Sequence, residues 1–364
     1  MRIAIIGAAT GQRTLYLKAK EMGLAVISFA WPKNAVCREL ADRFYPVSIL
    51  EMDRIVSICR EEQVAGVVSN GSDLTARVVA YVSEKLHLNG IPYKTMLNVL
   101  DKYFVREATV CVEGLSLLPN YVYNGQRPQF VPCVVKPAVG GGKLGVSFVK
   151  TEDEFQEAVE YATAADSDKI LVEEYAEGHE VSVETISFHG NHTVIQITDK
   201  ESSGPPHFVE LAHHQPSILP MQLQDKIRSV VPRLLDTLNY MNGAAHIEMK
   251  ITEDGKLYLI EMNPRGGGDH IADTLVELST GYDYIKGMID VAIDNFQEPS
   301  IHHVACSGIY FLCQQTAHLM PFFKKAEAPW LVEKAVESYD LVNSTGNYNR
   351  NGYLIYRSNH RVML

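Results

Sequence analysis

Apolar residues arrive in short bursts through the first hundred positions. The run 3–6 stops at Gly7-Ala8-Ala9-Thr10-Gly11, 13–22 has helical spacing, and 24–29 is a second run. A helix over about 52–61, a strand at 64–69 and a helix over about 74–86 follow. Strands alternating with helices predict an open parallel sheet covered by helices, an α/β unit. The Gly7–Gly11 turn is GxxxG. It lacks the GxGxxG spacing that brings a backbone up to a pyrophosphate, and reads as a tight strand-to-helix turn.

From about residue 99 the pattern changes. A helix over 101–112 precedes a buried strand, 133–137, that runs into glycines. Thr151-Glu152-Asp153-Glu154 has capping-box spacing and opens a helix to about 165. A strand at 170–175, a hairpin turning at His189-Gly190-Asn191-His192, a helix over 223–240 and a hairpin over 243–264 complete a mixed α+β region with antiparallel strands. Residues 301–364 hold two apolar runs, read as core, and an Asn-rich turn region, 343–351, without a chemical signal.

Composition narrows the class. At 364 residues the chain exceeds one ordinary domain, and two or three are expected. Hydrophobic residues at 46% and charged residues at 21% exclude disorder as the main state. The balance of 33 Lys+Arg against 44 Asp+Glu, net −11, argues against nucleic-acid or anionic-membrane partners. Six scattered cysteines form no CxxC pair and read as buried free thiols of a reducing compartment. The N-terminal apolar run is too short for a signal peptide, and no stretch approaches the ~18 apolar residues of a membrane span. A cytoplasmic protein is the expectation.

Chemistry concentrates in the hairpin. With Asp254-Gly255 as a two-residue loop, Glu248 faces Glu261 directly. Ile247, Met249 and Ile251 then share an apolar face with Tyr258, Ile260 and Met262, while His246, Glu248, Lys250, Glu261 and Asn263 line the other. Like charges directly opposed on a ladder are destabilising. A divalent cation reverses that sign, and two carboxylates with an amide oxygen suit Mg²⁺; a solvated face relieved by Lys250 is the alternative. Arg265 and the run Gly266-Gly267-Gly268-Asp269-His270 follow, a guanidinium beside exposed backbone N–H groups that fits an anion. Upstream, Lys136 ends a buried strand before the glycine loop 140–145, whose Gly140, Gly141, Gly142 and Lys143 resemble a phosphate cover but no Walker A loop. Glu173, Glu174 and Tyr175 end a strand, and Glu180 follows Glu173 by seven residues.

In this order the segments resemble the ATP-grasp superfamily over nearly the whole chain. The resemblance implies a Rossmann-like pre-ATP-grasp domain at 1–98 and a two-lobed ATP-grasp domain at 99–300, with a mobile lid lobe at about 105–172. Residues 301–364 then complete the substrate lobe. It implies ATP as nucleotide and two Mg²⁺ ions, with Mn²⁺ as a substitute. Lys102 and Lys136 resemble the ATP-phosphate lysines, and Glu173 the residue at the adenine amino group. Tyr175 corresponds to a backbone contact at the hinge, and Glu180 to the ribose carboxylate. Glu248, Glu261 and Asn263 correspond to the metal ligands, and Arg265 to the arginine at the transferring phosphoryl group.

The wording Glu261-Met262-Asn263-Pro264-Arg265 with its glycines resembles L-amino-acid ligases and carbamoyl-phosphate-synthetase-like ligases. This implies a carboxylate–amine ligase working through an acyl phosphate on small molecules. Glu210, His213, His214, Gly267, Gly268, Asp269 and His270 are the substrate-site candidates. Carboxyphosphate or carbamoyl-phosphate chemistry and a non-catalytic nucleotide-binding protein are the alternatives. A homodimer is expected by analogy alone.

Overall fold

The computed structural model describes residues 1–165, 169–325 and 327–364. Its first sheet is parallel: β1 (Arg2–Ile6), β2 (Ala25–Phe29), β3 (Arg43–Tyr45) and β4 (Gly66–Val68) lie in the order β3-β2-β1-β4. The helices α1 (Arg13–Glu21), α2 (Met52–Glu61) and α3 (Asp73–Leu86) alternate with them, as the spacing predicts. The helix expected over 101–112 is α5 (Lys102–Ala108), shorter at its C-terminal end, and α4 (Tyr93–Leu100), which was not expected, precedes it. Asp101 breaks them apart: its backbone is extended and its carboxylate accepts from the N–H groups of Tyr103 and Phe104, the bonding that makes Asp a good N-cap.

A small antiparallel sheet follows, with β5 (Asn120–Val122), β6 (Cys133–Pro137), β7 (Ser147–Val149) and β8 (Ile170–Glu174) in the order β5-β8-β6-β7. Helix α6 (Phe155–Ala164) covers it through Phe155, Ala158, Val159 and Ala162, and the capping box at Thr151 and Glu154 forms as expected.

The large sheet has eight strands in the order β13-β12-β9-β10-β11-β14-β16-β15. These are β9 (His179–Phe188), β10 (Asn191–Ser202), β11 (Glu210–Gln215), β12 (Gly243–Ile251), β13 (Leu257–Asn263), β14 (Cys306–Leu312), β15 (Leu331–Val336) and β16 (Gly352–Ser358). Helix α7 (Met221–Thr237) packs Ile227, Val230, Val231, Leu234 and Leu235 into a core with Val181, Ile197, Ile247 and Met249. The short α8 (Val276–Thr280) and then α9 (Tyr284–Ala292) lead back towards the first sheet, and α10 (Met320–Lys324) lies near the C-terminus. Tyr284, Ile285, Met288 and Ile289 share one core with Ile3, Ile5, Leu15 and Val26. The third segment's apolar runs are core, as expected: Leu312, Leu354 and Tyr356 are buried.

The cysteine expectation holds for four of six. Cys37, Cys59, Cys133 and Cys313 are buried, whereas Cys111 is exposed and Cys306 half-buried. Cys111 lies just past the point where α5 ends, so it never enters the core.

Candidate active site

The hairpin β12–β13 sets the register of the site, and it does so differently from the two-residue loop expected. Thr252 N–H donates to Lys256 O at 3.0 Å and Gly255 N–H to Thr252 O at 2.9 Å, leaving Glu253, Asp254 and Gly255 as a three-residue loop. Gly255 takes φ +77°, the left-handed position that such a loop reserves for glycine. The pairs Ile251↔Leu257, Lys250↔Tyr258 and Met249↔Leu259 follow, so Leu257 and Leu259 are the buried residues near the turn and Tyr258 and Ile260 are not. A β-bulge between Glu248 and Met249 then absorbs the extra residue. Beyond it the pairs are Glu248↔Glu261, Ile247↔Met262 and His246↔Asn263, the register expected for the charged end.

The opposed carboxylates are relieved by cations from other elements. Lys200 of β10 reaches Glu248 Oε1 at 2.7 Å, and Lys102 of α5 reaches Glu261 Oε1 at 2.9 Å. Burial works against both charges, and these lysines more than offset it, holding both carboxyls below the ordinary value. Lys250 takes no part: it donates to Ala176 O and sits over the Tyr175 ring. His246 bridges Glu184 and Glu248, and although burial opposes its charge, Glu184 and Glu248 push its pKa up to about 9. Glu184 also accepts from the Gly267 N–H at 3.0 Å. A Cβ at Gly267 would lie 2.7 Å from His246 Nδ1 and 2.9 Å from Glu184 Oε1, so only glycine fits there.

Two cavities meet at this hairpin, and a third adjoins the second. The first, between the small and large sheets, encloses about 930 Å³ of empty space open to solvent. It gathers Lys102, Lys136, Gly140, Gly141, Gly142, Lys143, Glu173, Glu174, Tyr175, Glu180, Glu248 and Glu261, every nucleotide-site candidate from the sequence. Glu173 is enclosed between Lys136 and Arg106, whose Nε lies 2.6 Å from Oε1. Burial raises the Glu173 pKa, but Arg106 and Lys136 bring it below its usual value; burial lowers Lys136, and Glu173 only partly offsets that. The Tyr175 backbone N–H is donated to Pro132 O at 3.1 Å, and both Tyr175 and Ala176, next along, line the cavity.

The second cavity shares Gly141, Gly142, Lys143, Glu248 and Glu261 with the first and adds Lys200, Glu210, His213, Asn263, Arg265, Gly268 and Asp269. Arg265 donates to Asp73 Oδ1 of α3 at 2.7 Å, so the first unit fixes this guanidinium. Lys143 bridges from the glycine loop to Glu210 at 2.8 Å. Two buried atoms of its lining residues, Glu210 Oε2 and His213 Nδ1, lack hydrogen-bond partners among the described residues. The third cavity continues past Gly268 and Asp269 and takes in Gly267 and His270.

His214 is not brought to the site. Strand alternation turns it away from His213, and it lies buried with Nδ1 2.9 Å from the Tyr356 hydroxyl and Nε2 3.1 Å from Glu201. The C-terminal segment does carry chemistry. Arg350 makes two bonds to Asp269, at 2.9 and 2.6 Å, and Asn347 Oδ1 accepts from the Glu210 N–H. Arg106, Glu184, Lys200 and Arg350 were not singled out from the sequence. A charged residue between Ile197 and the polar end of β10 was the available signal for Lys200.

Among the described residues, no three His, Cys, Asp or Glu side chains converge into a preformed metal cage. Glu248, Glu261 and the Asn263 amide on a cavity wall fit the partial shell of Mg²⁺, which completes its shell with water and phosphate oxygens.

The family model for the ATP-grasp domain matches residues 129–273. D-alanine–D-alanine ligase of Phocaeicola vulgatus is 29% identical over 169 residues, 45% of this chain and 51% of that protein. Pyruvate carboxylase of Bacillus subtilis is 30% identical over 169 residues, 44% of this chain and 14% of that one. The chain thus spans about half the length, or less, of these curated relatives. Among solved structures, L-amino acid ligase from Bacillus licheniformis superposes with a TM-score of 0.82 at 22% identity, covering 99% of this chain and 94% of that one. N5-carboxyaminoimidazole synthetase from Staphylococcus aureus, complexed with ADP, gives 0.76 at 16%, covering 99% and 93%. The chain has the ATP-grasp fold, and residues 129–273 match the family model for the ATP-grasp domain.

Proposed function

We propose that this chain is an ATP-dependent carboxylate–amine ligase. The observation that carries the reading is the join of the first two cavities. There Lys102, Lys136 and the glycine loop face Glu248, Glu261 and Asn263, with Arg265 just beyond. Such a site neutralises and positions phosphate groups, the main task in phosphoryl transfer. The nucleotide would lie in the first cavity, with Glu180 at the ribose and Glu173 at the adenine edge.

Glu248, Glu261 and Asn263 would hold Mg²⁺, which neutralises phosphate charge when bound. A substrate carboxylate oxygen attacks the γ-phosphorus, the bond to the bridging oxygen breaks, and ADP leaves. Arg265, held by Asp73, orients the carboxylate and stabilises charge on the phosphoryl oxygens. An amine then attacks the acyl carbon; the C–O bond to phosphate breaks, and the amine proton passes to the departing phosphate or to solvent. Glu184, by anchoring Gly267, keeps the glycine run in place behind Arg265.

A second reading, carboxyphosphate formation from bicarbonate, draws on the likeness to pyruvate carboxylase. The two separate on ADP release with Mg²⁺-ATP, measured against pooled amino acids and small organic acids and, separately, against bicarbonate. The ligase reading expects stimulation by an organic carboxylate. Stimulation by bicarbonate alone overturns it in favour of the second.

A further inference from the structure

The third cavity encloses about 1050 Å³ of empty space between the first unit and the C-terminal segment. It shares Gly71, Gly268, Asp269 and Asn347 with the cavity that holds Arg265, so a molecule seated in it abuts the site of acyl transfer. The transfer cavity mixes Lys143, Lys200 and Arg265 with Glu210, Glu248 and Glu261, whereas the third presents the carboxylates Asp269, Asp273 and Glu337 against Arg350 and His270. Arg350 is spent on Asp269, and His270 lies 3.5 Å from Asp273. Glu337 is exposed.

The same cavity has an aromatic wall. Tyr353 packs against His270 with ring centroids 4.6 Å apart and planes tilted by 40°, and Tyr348 lines the cavity with 83% of its surface exposed. An aromatic ring left this bare contributes nothing to the core, and beside a cavity it offers a face to an apolar group or a cation. Excess carboxylate with aromatic faces attracts a cation bearing an apolar substituent and repels an anion of the same shape.

We propose that this third cavity is the seat of the amine substrate, and that it selects primary amines carrying an apolar or aromatic group. The assignment rests on the ligase reading for its role, while the binding preference stands without it. In this arrangement the carboxylate partner lies beside Arg265, and the ammonium approaches past Asp269, whose position Arg350 fixes with two hydrogen bonds.

The test is isothermal titration of the full chain, loaded with Mg²⁺ and a non-hydrolysable ATP analogue, with 2-phenylethylamine and with 3-phenylpropionate. The two probes match in shape and differ in charge. The amine is expected to bind at least tenfold more tightly than the acid. Asp273→Asn with Glu337→Gln should weaken it at least fivefold, and Tyr348→Ala, which removes a ring the fold does not use, severalfold. Equal affinity of the two probes, tighter binding of the acid, or an amine affinity unmoved by either variant overturns the proposal. ADP release with hydroxylamine, assayed in parallel, reports on the ligase reading alone. Amine binding without any turnover would remove that reading and leave the cavity's preference standing.

Discussion

At the scale of single residues, the site is a set of charges that neutralise one another across long stretches of chain. Glu248 and Glu261 were legible because strand alternation places them on one face and pairing places them opposite. Their cations were not, since nothing local marks Lys200 or Lys102 as the partner of a carboxylate 48 or 159 positions away. Arg350 sits in an Asn-rich turn that looks like surface, and only the folded chain brings it to Asp269. Replacing Glu248 with Gln keeps the shape and removes the charge proposed to hold Mg²⁺. Steady-state ADP release should fall by about 10²–10³-fold, with the circular-dichroism spectrum unchanged; wild-type turnover would remove Glu248 from the metal site.

A structural charge makes a separate prediction. Asp199 is buried and bonded to Ser217 Oγ at 2.6 Å, the Ile218 N–H at 2.9 Å, His179 at 2.8 Å and Arg361. Burial opposes its charge, but these donors hold its pKa below the ordinary 3.8. A depressed carboxylate adds stability above its ordinary pKa and loses it as pH falls through the folded value. Asp199→Asn should therefore cost about 3 kcal/mol near neutral pH. The gap in urea midpoints between the two proteins should narrow as pH drops below 3.8. A gap that stays constant into acid would contradict this.

At the scale of elements, the sequence expectations were right wherever one period dominated. The helix at 52–61 and the strand at 133–137 coincide with the observed bounds: α2 buries Ile55, Val56 and Cys59 on one face, and β6 is buried along almost its whole length. The hairpin shows how a correct result arises by another route. Its loop is one residue longer than expected, and the bulge at Glu248/Met249 restores the pairing of the two glutamates. Bulges have no composition signal, so the buried face near the turn was misassigned. The helix over 101–112 begins where expected, with Asp101 as its N-cap, but ends at Ala108, short of the expected 112.

The glycine loop before β7 is the element expected to respond to nucleotide. Lys102 Nζ donates to Gly140 O at 2.6 Å, and Lys143 joins the loop to Glu210, so both ends of the loop are tied to site residues. Adding Mg²⁺ and a non-hydrolysable ATP analogue should protect residues 139–146 from limited proteolysis severalfold. Cleavage in this loop that ignores the nucleotide would mean the loop does not cover the phosphates.

At the scale of the whole molecule, the segments at 1–98, 99–300 and 301–364 are convenient divisions of sequence, but the cores cross them. Tyr284, Met288 and Ile289 of α9 pack with Ile3, Ile5 and Leu15, and a Cβ at Gly66 would lie 2.4 Å from Ala292 O. Strands β14 and β16 complete the sheet that β9–β13 begin. A chain starting at residue 99 should expose the apolar face of α9 and lose the Asp73 hold on Arg265. It should be recovered insoluble or without a cooperative thermal transition; a soluble fragment with a sharp melt would contradict the shared core.

The central claim, ATP-driven activation of a carboxylate, is tested most directly by Mg²⁺-ATP turnover in hydroxylamine, screened against pooled amino acids and small organic acids. The account predicts hydroxamate in step with ADP for one pool, since hydroxylamine intercepts the acyl phosphate. Bound ATP with no ADP from any pool, or ADP release driven only by bicarbonate and without hydroxamate, would contradict it.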